Sequence, residues 1–77
     1  MTSDTANFQT LIDKGHSAVW SQDWHGAVDA YSQALSENPD DPVALSSLGL
    51  AYFQLKNYEE ALRVFQRLTI LVPDDPM

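Results

Sequence analysis

The chain has 77 residues, 44% of them hydrophobic, no cysteine, and a formal net charge of −7 from eleven acidic and four basic side chains. Without cysteine there are no disulfides, thiolate nucleophiles or thiolate metal sites. The four cations, Lys14, Lys56, Arg63 and Arg67, are too scattered to neutralise a phosphate backbone, so nucleic acid and anionic membranes are not expected partners.

The first helix is predicted over residues 5–21, where Phe8, Leu11, Ile12, Gly15, Ala18 and Val19 recur at the period of an amphipathic helix. A second is predicted over 24–37 from Trp24, Ala27, Val28, Tyr31, Ala34 and Leu35, with Asp23 placed to cap it. Pro39 ends that helix because proline cannot continue the amide ladder. The third is predicted over 42–55 from Leu45, Leu48, Tyr52 and Leu55. Asp41 precedes it as a cap, and Pro42 loses no needed hydrogen bond at the first helical position. The fourth is predicted over 58–71 from Tyr58, Ala61, Leu62, Phe65 and Leu68, with Asn57 and Glu60 resembling a capping box and Pro73 as the stop. Connections of a few residues make the neighbours antiparallel, so the expected class is all-α.

Pro39-Asp40-Asp41-Pro42 returns 34 residues later as Pro73-Asp74-Asp75-Pro76. The same shift pairs Leu11 with Leu45, Gly15 with Gly49, Trp24 with Tyr58, Ala27 with Ala61 and Tyr31 with Phe65. A period of this size marks a repeat whose unit leaves an apolar face bare until a neighbour covers it. The units are 8–41 and 42–75, with 1–7 as an N-terminal extension that starts the first helix and 76–77 as the start of a further helix. Gly15, Ala27, Gly49 and Ala61 then mark places where helices approach closely and leave hollows for aromatic rings. A phosphate loop would need a preceding strand, and the pattern shows none.

Leu45-x2-Leu48-Gly49-x2-Tyr52, followed by Ala61-x3-Phe65 and Pro73, resembles the tetratricopeptide repeat, with Leu where that motif often has Trp. Leu11-x2-Lys14-Gly15-x2-Ala18, then Ala27-x3-Tyr31 and Pro39, is a looser copy whose Lys14 and Ala18 depart from the pattern. The resemblance covers residues 8 to 75 and implies two helix-turn-helix units in a short right-handed solenoid. It also implies a non-enzymatic scaffold, without cofactor, that receives a protein or peptide in a concave groove lined by the first helix of each pair.

Carried over by position, the groove residues are Gln9, Ile12, His16, Val19 and Trp20 in the first unit and Val43, Ser46, Leu50, Phe53 and Gln54 in the second. Trp20 and Phe53 are the expected anchors for an apolar segment of a partner. The carboxylate clamp by which one subclass of the family holds heat-shock chaperone tails is missing. Ile12 stands where that clamp has Lys, and His16 and Ser47 where it has Asn.

His25 and Asp29 share a helix face, but two such groups are too few for a metal site or a catalytic constellation. The paired aspartates lack the alternating ligands and turn glycine of a calcium loop. No run approaches the roughly 20 apolar residues of a membrane span, and Met1-Thr2-Ser3-Asp4 lacks the regions of a signal peptide, so a cytoplasmic location is expected. The last helix is greasier than its first-unit counterpart, with Val64 for Ala30, Ile70 for Ser36 and Leu71 for Glu37. Val64, Leu68, Leu71 and Val72 are therefore expected to be covered either by a following repeat or by a second copy, and as a self-association face they are the basis of a second reading as a homo-oligomerisation module.

Overall fold

Four helices follow one another in a computed structural model that describes residues 3–71: α1 (Ser3–Trp20), α2 (Trp24–Glu37), α3 (Pro42–Gln54) and α4 (Tyr58–Leu71). The bounds expected for α2 and α4 coincide with these, whereas α1 ends at Trp20 and α3 at Gln54. Val72, Pro73, the second Asp-Asp pair and residues 76–77 lie outside the described part. No strand occurs among the described residues, and none of their helices is long and apolar enough to cross a membrane.

Both intra-unit turns close in the same way, 34 residues apart. Gln22 and Lys56 sit in the left-handed region at φ 60 and φ 65. Around the first, the Gln22 amide donates to the Val19 carbonyl at 2.9 Å and the Asp23 amide to Ala18 at 2.7 Å. Around the second, Lys56 donates to Phe53 and Asn57 to Tyr52, each at 2.9 Å. These paired bonds satisfy the last carbonyls of α1 and α3 in a Schellman arrangement, whose left-handed residue is ordinarily glycine. A side chain there costs roughly 1–2 kcal/mol, offset in part by the greater chain entropy a glycine loses on folding. Gln22→Gly is therefore expected to stabilise the fold by about 0.5–1 kcal/mol. An unchanged or lower thermal midpoint would contradict this account of the turn.

The helix starts are held by the expected aspartates. Asp23 accepts from the Gly26 amide at 3.1 Å, and Asp41 from the Ala44 amide at 2.8 Å with Pro42 at the first position. Asp40 does something else: it pairs with the Arg67 guanidinium at 2.8 Å, tying α4 to the loop before α3. Both partners are exposed, so the pair adds little stability. The expected Asn57–Glu60 capping box is not closed by any side-chain bond among the described residues. The Asn57 carbonyl instead accepts from the Ala61 amide at 3.1 Å, as the first bond of α4.

Each helix packs on the next, α1 on α2, α2 on α3 and α3 on α4. The core consists of Ile12, Ala27, Tyr31, Ala34, Ala44, Leu48 and Ala51. Alanines let the backbones approach, but each buries little apolar surface. Most of the stabilising area must then come from Ile12, Leu48 and, above all, the Tyr31 ring, the largest fully buried side chain. α4 contributes only Ala61 to the fully buried set.

Candidate functional site

Helical phase decides which expected groove residues stand open. On α1, Gln9, His16 and Trp20 point away from the core and are exposed; on α3, Val43, Leu50 and Gln54 are their counterparts and are exposed as well. Ile12 and Val19 are turned inward. Ile12 is 6% exposed and belongs to the core, and Val19 is half-buried against it. The side chain of Ile12 is therefore part of the packing and not of an open face. Ser46 and Phe53, one period later, have the same phase on α3 and are exposed because no described helix lies beyond them.

Three of the ten residues come together at the α1–α2 turn. His16, Val19 and Trp20 line an open cleft of about 690 Å³ with Gln22 and Trp24. Trp20 is 87% exposed, the most exposed large apolar side chain of the described residues. Gln22 and Trp24 were absent from the expected set. The left-handed turn brings Gln22 to the rim, and Trp24 opens α2 directly beneath it, a placement that the position of two tryptophans around one short turn could have suggested. Val43 and Ser46 form a separate, shallower hollow with Pro42 and Leu68.

A polar contact marks the floor between α1 and α3. The Tyr31 ring enters from α2, and its hydroxyl lies 2.6 Å from His16 Nδ1. With the neutral ring protonated on Nε2, the hydroxyl donates to Nδ1. The two rings meet edge to face, with centroids 5.7 Å apart. Burial pushes the Tyr31 phenol above its ordinary value of 10.0, and the Ser47 side chain of α3, which can hydrogen-bond the phenolate, offsets part of that rise. His16 is thus tied to the core by one ring nitrogen while the residue itself remains exposed. His25 is exposed on α2, and Asp29 accepts from Gln33 Nε2 at 3.1 Å. No group of three metal-ligating side chains occurs among the described residues.

A second apolar surface lies on α4. Val64 is half-buried against the core, Leu68 closes the hollow with Pro42 and Val43, and Leu71 is half-buried; Val72 lies outside the described residues. The exposed stripe is instead Tyr58, Leu62 and Phe65, bordered by Phe53, whose ring lies 5.4 Å from that of Tyr58.

Residues 12–76 match the family model described as "Tetratricopeptide repeat". Among curated proteins the chain is 40% identical over 55 residues to "Superkiller protein 3" of Schizosaccharomyces pombe, a stretch covering 71% of this chain and 4% of that protein. It is 30% identical over 59 residues to "Small glutamine-rich tetratricopeptide repeat-containing protein 2" of Mycosarcoma maydis, covering 77% of the chain and 17% of the relative. It is also 30% identical over 69 residues to "Heat-shock protein cognate (HSC) co-chaperone sgt12" of Aspergillus fumigatus, covering 90% and 20%. The chain thus spans at most a fifth of the length of these relatives. No solved structure matches with significance.

Proposed function

Since the chain belongs to the tetratricopeptide-repeat family, we propose that it is a non-enzymatic binding module, working in the cytoplasm, whose α1–α3 face receives a peptide or helix of a protein partner. The observation that carries this reading is Trp20, 87% exposed beside an apolar cleft that the fold itself shapes with Val19 and Trp24. Such a ring costs solubility when bare and supplies a large, rigid contact when covered. Leu50 and Val43 extend the apolar row along α3, while Gln9, His16 and Gln54 supply uncharged polar rims. This face is suited to an apolar segment and lacks the cations needed for a carboxylate tail. The family relationship to a co-chaperone does not restore the missing clamp residues.

Peptides selected on the chain from a random display library test the reading. Trp20→Ala and Leu50→Ala should each weaken a selected apolar peptide by at least about tenfold, and Ser36→Ala on the outer side of α2 should leave it unchanged. Peptides that bind the Trp20 variant as tightly as the parent would sink the proposal. Saturable micromolar binding of an acidic chaperone tail peptide would show that the exclusion of the clamp is wrong.

A further inference from the structure

We propose that two copies of this chain pair through α4, antiparallel across a twofold axis at Leu62. The chain contains its own comparison for this surface. Trp24 and Val28 of α2 are half-buried and Tyr31 is fully buried in the core that α3 completes. Their equivalents one period later are Tyr58, Leu62 and Phe65, exposed by 55%, 58% and 37%. An apolar stripe of the kind that this fold covers once is thus left uncovered on α4 by the described residues.

The occupant follows from what each candidate surface offers. A head-to-tail stack would set α1 of a second copy where α3 sits on α2. But α3 makes that contact with Ala44, Leu48 and Ala51, and the corresponding positions of α1 are Thr10, Lys14 and Ser17, all exposed. Stacking would set the Lys14 stem and the polar Thr10 and Ser17 where α3 offers apolar side chains, so the stripe would gain little apolar contact while desolvating a charged group. α4 is, by contrast, complementary to itself. Along the helix, Tyr58 lies about 6 Å before Leu62 and Phe65 about 4.5 Å after it, so an antiparallel pair centred on Leu62 sets each Tyr58 against Phe65 of the second copy. Glu59 and Arg63 share one flank of the stripe, about 4.5 Å before and about 1.5 Å after Leu62. The twofold operation brings this flank of both helices to the same side. Each Glu59 then lies about 3 Å along the axis from Arg63 of the other copy. One apolar contact and its charged rim are both made twice, as an isologous interface requires.

Sedimentation equilibrium of the 77-residue chain over a range of concentrations tests the pairing. A monomer–dimer equilibrium is expected, and Leu62→Glu should weaken it at least about 100-fold while the helical circular dichroism is kept, because the side chain is exposed. Glu59→Lys alone and Arg63→Glu alone should each weaken dimerisation about tenfold. The two together should restore it, since the exchanged charges face each other across the axis. A chain that stays monomeric at every concentration overturns the proposal, as does a double variant no tighter than the single ones. Species that grow beyond a dimer and respond to Lys14→Glu would identify head-to-tail stacking and overturn it equally.

Discussion

Tyr31→Ala is expected to leave the chain largely unfolded at room temperature. Truncating a buried aromatic ring costs about 3–5 kcal/mol, and a core this small supplies little more than about 3–5 kcal/mol in total. The loss is concentrated here because the ring fills the space between α1, α2 and α3, while most of its core neighbours are alanines that cannot swing in to fill a void. Tyr31→Phe separates the ring from its hydroxyl. It keeps the packing and removes the contact with His16, at a cost of about 1 kcal/mol. The parent chain and Tyr31→Phe also differ in pH dependence. The folded phenol titrates above the ordinary value of 10.0, so the folded state binds its proton more tightly than the unfolded chain does. Its contribution is fully present below that ordinary value and is lost as pH rises through the folded one. The stability gap between parent and Tyr31→Phe should therefore narrow once the pH passes 10.0. Urea unfolding followed by circular dichroism reads both effects, and a Tyr31→Ala variant with the parent midpoint would refute the keystone role given to this ring.

The four helices were legible because their signals are local. Asp23, Asp41 and Pro42 act on amides within one turn, and the apolar period needs only the residues of one helix. The 34-residue shift paired Gly15 with Gly49 and Tyr31 with Phe65, and the structure sets each glycine against the ring of its own unit. What stayed hidden depends on context beyond one helix. Lys56 and Gln22 carry no sign of a left-handed turn, since that site usually selects glycine and neither is one. Asp40 and Asp41 look alike in sequence, yet only the second reaches an amide, and the first meets Arg67 across the fold. For the candidate site, Gln9, His16 and Trp20 are positions carried over from a resemblance, and all three stand exposed on α1. Position alone could not show that Ile12, at the same helical phase as exposed Ser46, is buried in a core to which α2 and α3 both contribute. Burial in a repeat depends on the neighbour as much as on the residue, and side-chain greasiness alone does not show that Tyr58, Leu62 and Phe65 form an exposed stripe on α4.

The same dependence on a neighbour predicts different costs for one substitution made in both units. A Cβ on Gly15 would fall within the Tyr31 ring, 2.6 Å from Cζ, and a Cβ on Gly49 would lie 2.7 Å from Phe65 Cζ. Both distances are far inside van der Waals contact, so the ring must move in each case. Tyr31 is 1% exposed, pinned by α1 and α3 and tied to His16, and its retreat would open the core. Phe65 is 37% exposed and can swing outward with little loss. Gly15→Ala is therefore expected to destabilise by about 2–3 kcal/mol, the upper part of the overpacking range. Gly49→Ala should cost no more than about 1 kcal/mol, because alanine's higher helix propensity offsets part of the displacement. Paired urea titrations measure the difference, and equal costs would mean that the ring in the first unit is no more confined than the ring in the second. Where α4 is covered by a second copy, the Phe65 ring loses its outward path. The cost of Gly49→Ala should then rise with protein concentration, while that of Gly15→Ala should not, which separates the packing within one chain from the packing between two.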